Sequence, residues 1–94
     1  MIIVRGSARA RSGMRQALAD AVLAVAAAAE HDDGCMVYEF SVDLLDAEMI
    51  RNVEVWRDQK ALDEHMTHDH TITFMAAVGD LVDGQPQMDI VSAG

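Results

Sequence analysis

Three side chains at alternating positions, Asn52, Glu54 and Trp56, are the residues of this sequence best placed to do chemistry. Successive side chains of a β-strand point to opposite faces, so all three share one face. If that face packs under helices, the amide and the carboxylate must find partners or line a cavity. Two interpretations stay open: Glu54 pairs with an arginine while Trp56 fills core, or Asn52 donates hydrogen bonds into a cavity with Trp56 as its aromatic wall.

A second group of chemically capable residues is the run His65-Met66-Thr67-His68-Asp69-His70. His65 and His68 could share a metal ion on an unbroken helix, whereas His70 reaches them only if the chain turns back. The run contains neither a thiolate nor the HExxH pattern, and its spacing fits no closed zinc site, so we expect no metal. His65 is expected to line the same cavity, where imidazole can act as acid, base or hydrogen-bond donor. We assign His68 and His70 to a junction between helical segments.

Other chemically capable residues carry weaker signals. Cys35 has no CxxC partner and is interpreted as a small buried hydrophobic residue, and Tyr38 is assigned to the sheet or dimer surface. The sequence has no glycine-rich phosphate loop, no dinucleotide fingerprint and no serine nucleophile motif. We therefore expect no flavin or nicotinamide cofactor.

Composition limits the class of protein. Ninety-four residues make a single domain, 1–94, and 51% hydrophobic residues exceed what one small core needs, which indicates a second buried surface. A net charge of −9 opposes binding to nucleic acid and to anionic membranes. One cysteine permits a reducing compartment, no secretory signal is visible, and the longest apolar run is far shorter than the ~20 residues of a membrane span. We expect a cytoplasmic protein.

Periodicity and turn residues predict the elements that position these side chains. The prediction comprises strands Met1–Ala8, Cys35–Leu44, Glu48–Trp56 and Met88–Val91, a helix Met14–Glu30 capped by Ser12, and a helix after Asp58 that breaks near Thr67 and restarts over His70–Val82. The first helix is predicted to bury an apolar stripe of five residues at spacings of three and four: Met14, Leu18, Val22, Val25 and Ala29. Asp83–Pro86 is predicted to be a turn. The order β-α-β-β-α-β predicts an α+β, ferredoxin-like fold, a four-stranded antiparallel sheet with helices on one face. Because the other face is partly apolar, we expect a homodimer through the sheet.

Several short motifs, in order, resemble one protein family. They are Gly34-Cys35 with Tyr38-Glu39, then Glu54-Val55-Trp56, then Leu62, His65 and His70. Together they resemble the antibiotic biosynthesis monooxygenase family of dimeric ferredoxin-like proteins (dimeric α+β barrels). One departure is Asp33, which stands where a proline commonly precedes the Gly-Cys pair.

The resemblance implies a cofactor-independent monooxygenase that oxidises a small hydroxylated aromatic or a quinol with O₂, without metal, flavin or haem. Asn52 and Trp56 match a pair implicated in such a member and would position the substrate and stabilise its anion. His65 would be the acid, base or hydrogen-bonding partner, with Glu54 as an anchor that orients it. Met66 and Phe74 complete the expected substrate pocket.

Two alternatives are weighed against this. A haem-degrading branch of the same fold carries an Asn on the first strand and a Trp on the second helix. This chain has neither, and its acidic charge opposes an anionic porphyrin. The other alternative is a non-catalytic dimeric domain that binds a small ligand or a partner, with a closed interior filled by residues such as Trp56 and Phe74. A cavity that reaches Asn52 and His65 favours the enzyme.

Overall fold

Seven elements make up the fold in the computed structural model, which describes residues 1–94. They are β1 (Ile2–Ala10), α1 (Arg15–Ala29), β2 (Cys35–Val42), β3 (Met49–Trp56), α2 (Gln59–Thr67), α3 (Asp69–Leu81) and β4 (Val82–Ser92). The strands form one antiparallel sheet in the order β2-β3-β1-β4. The helices cover one face of this sheet, so the predicted ferredoxin-like fold is confirmed. None of the helices is long and apolar enough to span a membrane.

The predicted apolar stripe of the first helix is confirmed except at its beginning. Four residues of α1 at helical spacing are buried: Leu18, Val22, Val25 and Ala29. Met14, the first member of the predicted stripe, is exposed. The role predicted for Ser12 is wrong, because Met14 occupies the N-cap position and no side chain caps the helix. The helix is therefore held by its packing against the sheet, and not by its cap.

The predicted interruption of the second helical region is confirmed. The Asp58 carboxylate accepts a hydrogen bond from the backbone N–H of Ala61 at 2.9 Å and caps α2. His68 has an extended backbone (φ −73°, ψ 146°) that ends α2 and begins α3. The chain thus changes direction between His65 and His70, and both can face the same point.

The turn predicted at Asp83–Pro86 is wrong. Strand β4 begins at Val82 directly after α3, and Asp83 pairs with Arg9 while Gln87 pairs with Ser7. The two-residue step from Ser7 to Arg9 on β1 is therefore matched by a four-residue step from Gln87 to Asp83 on β4. The residues predicted to form a turn instead form a bulge inside the strand. Gly84, at φ +75°, supplies the left-handed backbone of this bulge. An edge strand tolerates such residues because one side of its backbone is unpaired.

The interior consists of two apolar clusters. One cluster lies under α1 and α3 and contains Ala10, Leu18, Val22, Ile50, Val78 and Val82. The other lies under α2 and contains Ile2, Val4, Trp56, Ala61 and Leu62. On β3, Ile50 belongs to the first cluster and Trp56 to the second. Both share a face of that strand with Asn52 and Glu54. The two polar residues therefore lie between the clusters on the helix-covered face, as the alternation predicts.

Candidate active site

A cavity of about 110 Å³ opens between the sheet and the helices and reaches the polar residues of β3. Its polar lining includes Asn52, Glu54 and His65. Most of its walls are apolar side chains: Leu18, Val22, Phe40, Ile50, Phe74 and Val78. A mostly apolar cavity with a few convergent polar groups is typical of a small-molecule site.

Glu54 is held by its two neighbours on the same face of β3. The Asn52 Nδ2 donates a hydrogen bond to Glu54 Oε2 at 2.8 Å, and the Trp56 indole Nε1 donates to Glu54 Oε1 at 3.0 Å. Both carboxylate oxygens are thereby satisfied without an arginine, so the pairing with an arginine is wrong. Glu54 makes no hydrogen bond to His65 either, so its expected role as the anchor of His65 is wrong. It orients Asn52 and Trp56 instead.

Trp56 lies behind the cavity and not in its wall. Its side chain is completely buried, 0% exposed, and it is absent from the cavity lining. The indole ring packs against the His65 ring with centroids 4.5 Å apart and contacts Tyr38 edge-on at 6.3 Å. Trp56 therefore acts on the cavity through Glu54 and His65, which differs from the expected aromatic wall.

Asn52 occupies its position because a glycine lies opposite. In the β1–β3 ladder Gly6 pairs with Asn52, and a Cβ at residue 6 would lie 2.2 Å from Asn52 Oδ1. Real Cβ atoms do not approach another atom so closely, so no other residue fits opposite this amide without moving it. The absent side chain of Gly6 is thus part of the site, and sequence reasoning missed it because the register of two separate strands was unknown.

His65 lines the cavity with a defined ring orientation. Its Nδ1 lies 2.7 Å from Asp32 Oδ2, and the Thr71 hydroxyl oxygen lies 3.2 Å from Nδ1 and 3.5 Å from Nε2. A carboxylate only accepts hydrogen bonds, so Nδ1 carries the proton of the neutral ring and Nε2 remains an acceptor. Thr71 is buried beside the ring and was not predicted.

The Asp32 carboxylate contacts all three of the clustered histidines. Besides His65, the His70 Nε2 lies 2.8 Å from Asp32 Oδ2 and the His68 Nδ1 lies 3.0 Å from Oδ1. Burial raises the pKa of Asp32, but these three hydrogen bonds outweigh it and hold the pKa below its usual range. Asp32, His65 and His70 also bring their ligand atoms within 4.8 Å of one another, close enough to hold a metal ion. The expectation of no metal considered only the local spacing of the histidines, and Asp32 is remote in sequence.

Tyr38 belongs to the cavity, so its assignment to the sheet or dimer surface is wrong. It pairs with Glu54 in the β2–β3 ladder, and directly paired residues share a face. Its ring contacts His65 edge-on at a centroid distance of 5.5 Å, and it lines the cavity. Burial, and then the nearby Glu54 carboxylate, raise the pKa of the Tyr38 phenol, which stays protonated at neutral pH. Its hydroxyl is a donor that sequence reasoning missed.

The two remaining predicted pocket residues, Met66 and Phe74, both line the cavity. Phe74 is partly buried against Phe40, with ring centroids 6.0 Å apart. Met66 is exposed, as are Met75 and Met88, which also line the cavity. The cavity therefore opens to solvent between the helices and the bulged strand β4.

Comparison with solved structures gives the same fold. Rv0793 of Mycobacterium tuberculosis matches with a TM-score of 0.93 and 24% identity, over 98% of this chain and 93% of that chain. PA3566 of Pseudomonas aeruginosa matches with a TM-score of 0.90 and 24% identity, over 98% of this chain and 92% of that chain. A protein of Deinococcus radiodurans, described as a candidate antibiotic biosynthesis monooxygenase, matches with a TM-score of 0.92 and 24% identity, over 100% of this chain and 93% of that chain. At these identities the likeness concerns the fold alone.

Sequence comparison is more specific. No curated protein matches the chain. The family profile for antibiotic biosynthesis monooxygenase matches residues 1–77, which include every element except the end of α3 and β4. The chain belongs to the antibiotic biosynthesis monooxygenase family.

Proposed function

We propose that the protein is a cofactor-independent monooxygenase that oxidises a small hydroxylated aromatic or a quinol with O₂ in the cytoplasm. The observation that carries this proposal is the cavity that reaches Asn52 and His65 between apolar walls. Apolar walls suit an aromatic ring and exclude water, which strengthens electrostatic interactions inside the site.

The chemistry requires an anionic, electron-rich substrate. His65 Nε2, left unprotonated by the Nδ1 contact with Asp32, is the candidate acceptor for the substrate hydroxyl proton. The Asn52 amide is held in place by Glu54, and the Tyr38 hydroxyl is a second donor towards the developing oxyanion. Trp56 acts as a positioning residue, because it fixes the other oxygen of Glu54.

The substrate anion then supplies the electrons for O₂. An activated CH₂ group, as in an anthrone, reacts with one O₂ to give a carbonyl group and one water. A quinol instead reacts with one O₂ to give a quinone and one H₂O₂. The two reactions differ in whether peroxide accompanies O₂ uptake, so one assay separates them.

Oxygen uptake by chelator-treated protein tests the proposal. Anthrones, naphthoquinols and catechols are each compared with their autoxidation blank, with peroxide measured in parallel. We expect uptake above the blank for at least one class, lost in Asn52→Ala and in Asn52→Ala/Trp56→Phe, with far-UV circular dichroism showing an intact fold. The matched control is Gly79→Ala, a helical position outside the cavity lining with open space for a Cβ, which should keep wild-type uptake. Uptake equal to the blank, or unchanged in Asn52→Ala, would overturn the proposal.

A non-catalytic ligand-binding domain is the second candidate, favoured by the completely buried Trp56, which fills the interior as that alternative expects. Such a domain would bind the same aromatics without consuming O₂. Binding measured by tryptophan fluorescence, in the absence of any uptake, would select this candidate.

We also propose that two copies pair through the uncovered face of the sheet. One row across all four strands on that face is apolar: Val37, Val55, Ile3 and Val91. The next row contains Glu39, Val53 and the ion pair of Arg5 with Asp89, 3.2 Å apart, and a two-fold axis can place these charges against those of a second copy. Apolar residues flanked by self-complementary charges suit a second copy of this chain.

Light scattering during size exclusion tests this pairing. We expect twice the chain mass of 10.2 kDa for the wild type and a monomer for Val53→Asp. Leu23→Asp, at an exposed position of α1 on the opposite side of the sheet, is the matched control and should stay dimeric. A monomeric wild type, or equal dissociation of both variants, would contradict the interface.

A further inference from the structure

The four groups Asp32, His65, His68 and His70 form a cluster in which three imidazole rings meet one carboxylate. The Asp32 side chain is only 8% exposed, and its carboxylate can accept a hydrogen bond from each of the three rings. His68 and His70, with side chains 40% and 26% exposed, could bind water instead. Both turn inward to the same carboxylate that already contacts His65.

The atoms that meet are those that transition metals bind. Three imidazole nitrogens and one carboxylate oxygen make a donor set that suits Zn²⁺, which is usually four-coordinate and tetrahedral. The ligand atoms of Asp32, His65 and His70 lie within 4.8 Å of one another, and His68 Nδ1 approaches the second oxygen of Asp32. We propose that these four residues bind one Zn²⁺ ion per chain.

The distances require a small adjustment for Asp32, His65 and His70 and a larger one for His68, whose Nδ1 contacts the other oxygen of Asp32. Zn–N bonds of about 2.0–2.1 Å place the ligand atoms of a tetrahedral site about 3.3 Å apart. The contacts of Asp32 Oδ2 with His65 Nδ1 and His70 Nε2 are now 2.7 and 2.8 Å, so each must lengthen by about half an ångström to admit the ion. Asp32 lies in the connection after α1 and His68 in the break between α2 and α3, and these irregular segments can make that adjustment.

The ion would lie behind the cavity and not inside it. Of the four ligands only His65 lines the cavity, and its Nδ1 points away towards Asp32. A neutral ring that coordinates Zn²⁺ through Nδ1 carries its proton on Nε2, so the Zn²⁺-bound form could not accept a substrate proton there, and the proposed oxidation belongs to the metal-free form. The ion would thus fasten the connection after α1 to the α2–α3 junction, and this role does not depend on the proposed oxidation.

Zinc titration of tag-free, chelator-stripped protein tests the site by calorimetry. We expect saturation at one equivalent, a thermal midpoint that rises with Zn²⁺ concentration, and intense visible absorption when Co²⁺ replaces Zn²⁺, which reports a tetrahedral site. Asp32→Asn and His70→Ala should weaken binding by at least ~10-fold. His68→Gln, at the most exposed ligand, keeps the test meaningful if the buried variants do not fold.

The fourth histidine of the chain is the matched control. His31 lies beside Asp32 in sequence, but it contacts only Glu30 and takes no part in the cluster. His31→Ala should bind Zn²⁺ like the wild type. Failure of the wild type to saturate at one equivalent, or equal loss of binding in His31→Ala and His68→Gln, would overturn the proposal.

Discussion

Replacing Gly6 by alanine should damage the site by moving Asn52, although Gly6 itself carries no chemistry. The new Cβ would lie 2.2 Å from Asn52 Oδ1, which must retreat by about 1.2 Å to reach ordinary van der Waals contact. The nearest backbone atom, the carbonyl oxygen of Gln87, is 3.5 Å away, so the sheet itself need not shift. The retreat breaks the 2.8 Å hydrogen bond from Asn52 to Glu54.

The magnitude follows from two opposing contributions. Loss of a hydrogen bond to a carboxylate costs roughly 1.5–3 kcal/mol. Replacing glycine by alanine at a backbone conformation that alanine can adopt stabilises the fold by about 0.4–1 kcal/mol, because it restricts the unfolded chain. We therefore expect Gly6→Ala to lower the free energy of unfolding by about 1–2 kcal/mol. Urea denaturation at one fixed protein concentration measures it, because a dimer's stability depends on concentration.

A double-mutant cycle shows whether the loss of unfolding free energy in Gly6→Ala arises from the displacement of Asn52. In an Asn52→Ala background the obstacle is gone, and Gly6→Ala should be neutral or stabilising. Gly79→Ala is the control for a harmless glycine replacement. Nothing lies within 4 Å of a Cβ there, and alanine inside a helix should stabilise by roughly 0.5–1 kcal/mol. Equal destabilisation by Gly6→Ala in both backgrounds would refute the reasoning.

Three further predictions concern single residues. The hydrogen bond from the backbone N–H of Ala61 lowers the pKa of Asp58. A carboxyl group whose pKa is lower in the folded state stabilises the fold above its unfolded pKa of about 3.9, so Asp58→Ala should destabilise the protein at pH 7. In urea titrations the stability difference between this variant and the wild type should vanish as the pH falls through the folded pKa. Burial raises the pKa of the Cys35 thiol, so iodoacetamide at pH 7.5 should alkylate native protein far more slowly than urea-unfolded protein, and equal rates would contradict the burial. Trp56→Phe removes the indole donor of Glu54 and should cost roughly 2 kcal/mol in the same denaturation assay, whereas an unchanged midpoint would show that this hydrogen bond contributes nothing.

Much of the fold could be predicted because its signals are local. The alternation of β3 placed Asn52, Glu54 and Trp56 on one face, and Asp58 marked the beginning of α2. The bulge of β4 could not be predicted in this way, because its residues are those of an ordinary turn. Only their pairing with β1 makes them part of a strand.

The candidate site was predicted in part for the same reason. Asn52 and His65 were found from their own elements, whereas Gly6, Tyr38 and Asp32 act through partners that are remote in sequence. Tyr38 could have been placed by aligning β2 with β3 across their short connection, which sets Tyr38 against Glu54. No comparable sequence signal predicts the contacts of Asp32 with His65 and His70, because these contacts depend on how α1 is placed relative to α2 in the fold.

The bulge of β4 also bears on how this protein could diversify. Asn52 and Glu54 belong to a central strand whose neighbours on both sides are fixed by the ladder, whereas Pro86 and Gln87, in and beside the bulge, line the cavity on an exposed edge. Bulges, which add residues to one strand of a pair, occur more often at the edge of a sheet than at its centre. Lengthening or shortening the bulge would therefore alter which molecules enter while the reacting groups stay in place. Ligand range and reaction chemistry can evolve independently in this domain.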